Sequence, residues 1–255
     1  MIKKRIIFTL LFEKNSFFLS RNFRLQKIGN FDWLKKNYDF SLIANSVDEI
    51  ILLNVSRTDP EIENFCEVIK IFTKECFIPI SVGGKISSLE IAKKYIQSGA
   101  DKLVINTNLF NIKLLNKIAN TFGEQCIVGS LDYLKTNNKF VFYTKNGTKK
   151  INLNTKKIFS FLIKSPIGEV MLNSIDKDGT GNGFDFSFLK EIPKNFFKPV
   201  IYSGGAGNHN HLIEALKKKE IDSISTANLL NFVGDGLQEA RKQIIKKKIK
   251  LAKWI

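Results

Sequence analysis

The sequence predicts an α/β protein folded as a single (β/α)₈ (TIM) barrel, and three observations favour that fold. Eight short apolar segments rich in β-branched residues alternate with segments of helical periodicity. The apolar segments are hydrophobic at successive positions, as expected of parallel strands buried on both faces. Eight strand–helix units in 255 residues match the size of such a barrel. A doubly wound sheet is the alternative that this pattern allows.

The predicted elements follow one another at regular spacing. The eight strands are expected at 5–11, 49–54, 78–82, 102–106, 126–132, 169–175, 200–203 and 223–226. Helical patterns between them include 89–98, 112–122 and 212–219. Segments 139–144 and 148–152 predict a β-hairpin around Asn146-Gly147. Apolar and basic residues at helical spacing predict a final amphipathic helix over 241–255.

An internal repeat strengthens the barrel prediction. Four matches are related by nearly constant offsets: Gly83-Gly84 with Gly204-Gly205, Asp101 with Asp222, Leu11 with Asp132, and Glu49 with Glu169. The offset is 121 for the first three matches and 120 for the last. Two fused copies of a half-barrel produce this pattern. No linker interrupts it, so residues 1–255 are expected to form one domain.

The chain is strongly basic, with 40 Lys and Arg against 24 Asp and Glu and a net charge of +16. A hydrophobic content of 44% excludes a disordered chain, and no apolar run is long enough for a membrane span. Because no aromatic-interleaved basic motif or helix-turn-helix pattern occurs, a nucleic-acid partner is not expected. The charge instead favours an anionic small molecule, such as a phosphorylated substrate.

The three cysteines, Cys66, Cys76 and Cys126, are odd in number and widely spaced. They form neither a metal motif nor a disulfide framework, which indicates a reducing cytoplasm. No metal or other cofactor is expected from the sequence.

Candidate functional residues lie where the predicted strands end, because barrel active sites form at the carboxyl ends of the strands. Asp132 ends the fifth strand and is the expected catalytic carboxylate; the alternative is a polar residue hydrogen-bonded at the barrel rim. Glycine-rich loops allow backbone N–H groups to approach an anion. We therefore define a second-half phosphate site by Asp178, Gly179, Thr180, Gly204, Gly205 and Asn228.

The first half of the chain has weaker equivalents of these loops. We define a first-half phosphate site by Gly84, Asn106 and Thr107. Lys85, the neighbour of Gly84, either adds a charge to this site or is a solvated loop residue.

Several longer motifs are characteristic of one family. They are Lys4-Arg5-Ile6-Ile7, Phe77-Ile78-Pro79, Val82-Gly83-Gly84, Gly99-Ala100-Asp101-Lys102, Ile105-Asn106-Thr107, Ser174-Ile175-Asp176-Lys177-Asp178-Gly179-Thr180 and Ser203-Gly204-Gly205-Ala206-Gly207. Through them the sequence resembles the cyclase subunit of imidazole glycerol phosphate synthase over nearly its whole length. That family is a (β/α)₈ barrel that receives ammonia from a separate glutaminase subunit and uses it at the opposite end to close an imidazole ring.

The resemblance implies a heterodimer with a glutaminase and assigns roles at the amino ends of the strands. It places an ammonia gate at Arg5, Glu49, Lys102 and Glu169, and it places Asp101 at the glutaminase interface. Alternating charges can neutralise one another and open by small rotamer changes. The alternative is a purely structural set of ion pairs that closes the barrel.

The sequence also departs from the family pattern in its first half. The family closes the ring with carboxylates on the first and fifth strands, but Leu11 stands at the first position and only Asp132 remains. Asn54 replaces a carboxylate that the family often carries at the end of the second strand, and Leu19 stands at the loop position of a lysine. General acid–base catalysis contributes about 10²–10⁴-fold, so the loss at Leu11 matters.

Two functions remain open from the sequence. One is a divergent subunit that conducts ammonia from a glutaminase to a sugar amidotransferase, as the resemblance to paralogues in surface-polysaccharide gene sets implies. The other is an authentic cyclase of histidine biosynthesis in which Asp176, Asp178 or Glu13 replaces the missing acid.

Overall fold

The computed structural model describes residues 3–137, 139–228, 230 and 232–252. The strands in chain order are β1 (Arg5–Glu13), β2 (Ser16–Arg21), β3 (Arg24–Gly29), β4 (Glu49–Asn54), β5 (Ile80–Gly83), β6 (Lys102–Ile105), β7 (Ile127–Thr136), β8 (Lys139–Thr144), β9 (Lys149–Ile151), β10 (Glu169–Ser174), β11 (Val200–Ser203) and β12 (Ser223–Thr226). The helices are α1 (Phe31–Asn37), α2 (Ile62–Glu75), α3 (Leu89–Gln97), α4 (Ile112–Phe122), α5 (Thr155–Lys164), α6 (His209–Leu216) and α7 (Gly236–Lys246). Short 3₁₀ helices cover Phe40–Asn45, Glu124–Cys126 and Phe186–Glu191.

Eight of the strands form a closed parallel barrel in the order β1, β4, β5, β6, β7, β10, β11, β12. Parallel pairing of β12 with β1 closes the circle. The predicted (β/α)₈ barrel is therefore confirmed, and closure excludes the doubly wound sheet. Each barrel strand overlaps its predicted segment, and β4, β11 and β12 match the predicted bounds.

Two hairpins project from the carboxyl end of the barrel. The hairpin β8–β9 was predicted, and its turn contains Asn146 and Gly147 with positive φ. The hairpin β2–β3 is an addition that the sequence did not predict. Its turn at Asn22 and Phe23 has φ values of 51° and 62°, a left-handed geometry more typical of Asn-Gly turns.

The helical predictions hold best in the first half of the chain. Helix α4 matches its predicted bounds and α3 differs by one residue. Helix α6 begins at His209 rather than at residue 212, because the Asn208 side chain accepts hydrogen bonds from the Asn210 and His211 N–H groups and caps the helix earlier.

The prediction of a helix over 241–255 is wrong in its bounds. Helix α7 ends at Lys246, the chain turns at Lys248 with φ of 59°, and Leu251 forms a parallel β-bridge with Lys4. Arg241 donates to the Ala252 carbonyl and holds this tail beneath the barrel. Residues 253–255 of the predicted helix lie outside the described residues.

The half-barrel repeat is visible in equivalent hydrogen bonds. The Ile50 N–H donates to the Pro79 carbonyl at 3.0 Å, and the Val170 N–H donates to the Pro199 carbonyl at 2.9 Å. These pairs are 120 residues apart, so the offset of 121 expected for the Gly-Gly pairs is wrong. Gly84 corresponds to Gly204, and both have φ near +90°.

The aspartates of the repeat keep the offset of 121 and have equivalent contacts. The Asp101 carboxylate accepts from the Ile80 N–H at 2.8 Å, and the Asp222 carboxylate accepts from the Val200 N–H at 2.9 Å. One residue is therefore inserted between turn and aspartate in the second half.

The barrel interior contains its own apolar layer, separate from the core between the barrel and the helices. Its buried members are Ile7, Ile51, Val104, Val128, Met171 and Ile201. Charged residues lie below this layer, at the amino ends of the strands, and a cavity lined by both polar and apolar residues lies above it.

We expect Gly84→Ala to destabilise the fold by more than about 3 kcal/mol. A Cβ at Gly84 would lie 2.1 Å from the Asn54 carbonyl oxygen, and φ is +90°. Gly234→Ala is the matched control, because Gly234 also has positive φ but nothing within 4 Å of its added Cβ. The control should lose only about 1 kcal/mol. Urea unfolding measures both losses, and equal losses would contradict the packing argument.

Candidate functional site

Four charged side chains meet at the amino end of the barrel and form what we call the charged ring: Arg5, Glu49, Lys102 and Glu169. Arg5 donates to Glu49 at 2.8 Å and also to Glu169. Lys102 donates to Glu49 at 3.0 Å and to Glu169 at 2.8 Å. The sequence-predicted gate residues are therefore brought together, with each cation between the two carboxylates.

The charged ring is largely shielded from water. Glu49 is 1% exposed and also accepts from the Ser81 hydroxyl. Burial opposes ionisation of Glu169, but Arg5 and Lys102 outweigh it and lower the pKa of that carboxyl. Because buried charges are stable only when paired, these contacts keep the four side chains across the end of the barrel.

Asp101 lies beside the charged ring, immediately before β6, and it is exposed. One of its carboxylate oxygens accepts the hydrogen bond from the N–H of Ile80, the first residue of β5. The residue therefore has a structural contact within the fold and still borders the solvent on the face of the ring.

A cavity of about 710 Å³ opens at the carboxyl ends of the strands; we call it the top cavity. The ends of the barrel strands and both hairpins line it. The predicted site residues on its wall are Asp132, Gly84, Asn106, Thr107 and Asp178. The other predicted phosphate-site residues are not on this wall: Gly179, Thr180, Gly204, Gly205 and Asn228.

Asp132 is the carboxylate at the base of the top cavity and is 6% exposed. Burial raises the pKa of Asp132 to about 7, although hydrogen bonds from Asn173 and Asn106 act against the rise. The Asn106 amide donates at 2.9 Å and the Asn173 amide at 3.3 Å. A carboxyl group with such a pKa can donate or accept a proton near neutral pH.

Asn173 was missed by the sequence reasoning. The alternation of side chains along β10 could have identified it. Every second residue of a strand faces the same side, so Asn173 faces the barrel interior as Glu169 and Met171 do.

The wall opposite Asp132 is apolar. Strand β1 lies four strands from β7 in either direction around the barrel, and its Leu11 lines the top cavity together with Leu53. Asn54, at the end of β4, does not replace the missing carboxylate on this wall. Its amide donates to the Pro60 carbonyl and its oxygen accepts from the Ser56 N–H at 3.1 Å, so it shapes the loop after β4.

The three acids that could have replaced the missing carboxylate have other contacts. Asp176 accepts from the Ser174 hydroxyl at 2.8 Å. Glu13 accepts from the Arg57 N–H at 3.2 Å. Only Asp178 lines the top cavity, and its carboxylate accepts from the Ser20 hydroxyl and the Phe23 N–H of the hairpin β2–β3.

The first-half phosphate site opens into the top cavity. Gly84, Asn106 and Thr107 line it together with Lys85. Two further cations on this wall, Arg57 and Lys145, were not predicted from the sequence. They lie in a loop and a hairpin turn, where a basic residue is indistinguishable in sequence from a solvated one.

The second-half phosphate site is packed against other backbone. A Cβ on Gly179 would lie 1.9 Å from the Ser20 carbonyl oxygen, and a Cβ on Gly205 would lie 2.1 Å from the Gly183 carbonyl oxygen. The Gly183 N–H donates to the Gly205 carbonyl at 2.8 Å. Close backbone packing therefore accounts for these glycines without a ligand.

Among the residues that the structure describes, no three His, Cys, Asp or Glu side chains are grouped as a metal site. In the same part of the chain no helix is long and apolar enough to cross a membrane.

Fold and site together define a duplicated (β/α)₈ barrel with an ion-paired amino end and a carboxylate-bearing cavity at the carboxyl end. The model of the family described as "Histidine biosynthesis protein" matches residues 38–233. The chain belongs to the HisF family of imidazole glycerol phosphate synthase subunits, as comparison with its relatives establishes.

Three relatives illustrate this membership. "Putative imidazole glycerol phosphate synthase subunit hisF2" of Parasynechococcus marenigrum (strain WH8102) is 41% identical over 100% of this chain and 95% of its own length. "Imidazole glycerol phosphate synthase subunit HisF" of Bacillus cereus (strain G9842) is 32% identical over 98% and 97%. The protein of the same name from Sulfurisphaera tokodaii is 36% identical over 77% and 82%.

We expect Asp132 to make stability fall as pH rises. Its folded pKa of about 7 exceeds the ordinary value of about 4, so between these values the native state holds a proton that the unfolded chain has released. The contribution of Asp132 to the free energy of unfolding is complete below about pH 4, and it is lost as the pH rises through 7. The free energy of unfolding, relative to Asp132→Asn, should fall by on the order of 3 kcal/mol between pH 4 and pH 8.

Asp39→Asn is the control of opposite sign. The hydrogen bond from Ser41 lowers the pKa of Asp39, so its contribution is present at higher pH and is lost as pH falls. Urea titrations between pH 4 and pH 8 measure the Asp132 difference, and titrations extended below pH 4 measure the Asp39 difference, because the lowered pKa of Asp39 lies beneath the ordinary value of about 4. An Asp132 difference that is independent of pH would contradict the prediction.

Proposed function

We propose that the chain is a divergent HisF-type subunit that binds a glutaminase and conducts its ammonia through the barrel. The ammonia serves amidation of a surface-polysaccharide sugar, with a sugar amidotransferase as further partner, rather than closure of an imidazole ring. The observation that carries this proposal is Leu11, which faces the top cavity opposite Asp132. The three buried free cysteines support a cytoplasmic location.

The barrel interior supports the conduit. Ammonia would enter at the charged ring, which therefore acts as the ammonia gate and opens by rotation of Arg5 or Lys102. The apolar layer beyond it disfavours charged ammonium and favours neutral ammonia. Along β10, the route would pass from Glu169 through Met171 to Asn173, the partner of Asp132.

The face around the charged ring supports docking of the glutaminase. Phe77 is 74% exposed and Phe197 is 87% exposed, and they are 120 residues apart in the repeat. Each precedes the first residue of its strand by three positions, so both lie at the amino end of the barrel. Strands β5 and β11 are on opposite sides of the barrel, and exposed aromatic side chains are frequent anchors of protein interfaces. Asp101 would border the same interface.

The top cavity supports a reaction other than ring closure. Ring closure by the family needs a second proton-handling group, which is typically worth about 10²–10⁴-fold in rate. Leu11 cannot transfer a proton, and Asp176, Asp178 and Glu13 already have the contacts described above. The phosphorylated ligand of the cavity would be held at Gly84, Asn106 and Thr107, with Asp132 as its acid or base.

The relatives support a separate branch of the family. Identity to the hisF2 subunit is 41%, compared with 32% and 36% for the two subunits named HisF.

The experiment is coexpression with the glutaminase encoded nearest to this gene. The glutaminase should copurify, and glutamine hydrolysis should rise when both chains are present. No complex and no stimulation would refute the conduit. The chain should also fail to rescue a histidine auxotroph while it is expressed in soluble form, and rescue would refute the proposed loss of ring closure.

We expect the double variant Phe77→Ser/Phe197→Ser to weaken glutaminase binding at least 30-fold, or about 2 kcal/mol, because interface aromatic residues each contribute about 1–2 kcal/mol or more. The affinity is measured by calorimetry with the purified glutaminase. Ile112→Ser is the control, because Ile112 is 40% exposed but begins α4 at the opposite end of the barrel. Equal weakening by the control would contradict the assigned face.

A further inference from the structure

The hairpins β2–β3 and β8–β9 carry basic side chains and no acidic ones. Residues 16–29 and 139–151 contain seven Lys and Arg residues and no Asp or Glu, although the whole chain has 24 acidic residues. All seven cations are exposed at the carboxyl end of the barrel. We call this surface the basic hairpin face; its members are Arg21, Arg24, Lys27, Lys139, Lys145, Lys149 and Lys150.

The charge of the basic hairpin face is not balanced within the chain. On the outer helices Lys70 pairs with Glu67 at 2.7 Å, and Lys94 pairs with Glu63. Among the residues that the structure describes, none of the seven hairpin cations has an ion pair of this kind. The face therefore presents uncompensated positive charge to the solvent, and such a surface attracts an anionic partner.

Neither the top cavity nor the strand edges account for this charge. Lys145 lines the cavity, but the other six members of the face do not. Strands β3 and β9 are each paired on one side only, and charged side chains on such edges prevent pairing with another chain. Because acidic residues also prevent edge pairing, that role does not explain why every charge on the two hairpins is positive.

The two hairpins are held together as one surface. A Cβ on Gly147 would lie 2.8 Å from a ring carbon of Phe23, so the two turns are in contact. The Arg57 guanidinium donates to the Phe23 carbonyl at 2.6 Å, and the Asn22 amide donates to the Ile175 carbonyl at 3.1 Å. A partner would therefore meet a preformed surface, which lowers the entropy that binding costs.

The basic hairpin face lies at the end of the barrel where conducted ammonia would leave. The charged ring is at the amino end, so ammonia would leave through the top cavity, and both hairpins contribute to the wall of that cavity. A protein seated on the hairpins would cover this exit and keep ammonia from escaping into water. A nucleic acid or a lipid surface would also be attracted by the charge, but it would not consume ammonia.

We infer that the basic hairpin face docks the enzyme that consumes the ammonia, and that this enzyme contributes an acidic surface to the contact. The inference rests on the proposed function, in which the consumer is a sugar amidotransferase, and it adds the face and the charge through which that partner binds. Complementary charge of this kind speeds association and makes binding sensitive to salt.

The experiment measures binding of the full chain to the sugar amidotransferase encoded nearest to this gene, by biolayer interferometry. We expect the affinity to fall at least about tenfold between about 50 mM and about 300 mM NaCl, because salt screens exposed charges. An affinity that is independent of salt, or no binding at the lower concentration, would overturn the inference.

Charge reversal localises the contact. Arg24→Glu/Lys149→Glu reverses one charge on each hairpin and should weaken amidotransferase binding at least about tenfold, because like charges then face each other. Lys93→Glu/Lys117→Glu is the matched control, since it makes the same change of charge at exposed positions on the outer helices α3 and α4. The control should stay within about twofold of the unmodified chain, and equal weakening by both double variants would contradict the assigned face.

Glutamine hydrolysis separates this inference from the proposed function. Arg24 and Lys149 lie at the end of the barrel opposite the charged ring, so their double variant should stimulate the glutaminase as the unmodified chain does. If it does so but binds the amidotransferase as tightly as the unmodified chain, the docking inference fails and the conduit stands. If the glutaminase neither binds nor responds while amidotransferase binding still depends on the hairpins, the conduit fails and the docking inference stands. Binding of single-stranded RNA or of phosphatidylglycerol vesicles in place of the amidotransferase would overturn the docking inference.

Discussion

The need to neutralise buried charge at the amino end of the barrel constrains much of this molecule. Glu49 is almost fully buried, so its carboxylate requires Arg5 and Lys102, and these cations in turn require Glu169. The four residues stand at the starts of four different barrel strands, so their pairing also fixes how those strands close around the interior. The apolar layer above the charged ring then separates the ring from the top cavity.

The site is asymmetric although the fold is duplicated. The hydrogen bonds of Ile50 and Val170 repeat with an offset of 120 residues. The two halves nevertheless place different residues at the carboxyl end of the barrel. In the first half the loops open into the top cavity, and β1 contributes an apolar side chain. In the second half β7 contributes Asp132, while the glycine loops are used for backbone packing. A duplicated scaffold thus presents a carboxylate on one wall of the top cavity and basic loop residues on another.

The barrel was predictable because its strands are buried on both faces and the sequence repeats itself. The hairpin β2–β3 was not, because Asn22 and Phe23 adopt left-handed conformations without the glycine that usually marks such a turn. The end of α7 was predicted wrongly because apolar residues continue at helical spacing past Lys248. In the structure the chain leaves the helix there, and Leu251 forms a β-bridge with Lys4. The charged ring came from family resemblance alone, since a charged residue before an apolar run is typical of ordinary surfaces.

The exposed side chains of Phe77 and Phe197 affect how readily the chain aggregates. Two large aromatic side chains in water on opposite sides of one face favour self-association whenever nothing covers them. An excess of this chain over the proposed glutaminase would then accumulate as aggregates or be degraded. Balanced synthesis, such as translation of both chains from one messenger RNA, is the simplest way for a cell to avoid that waste.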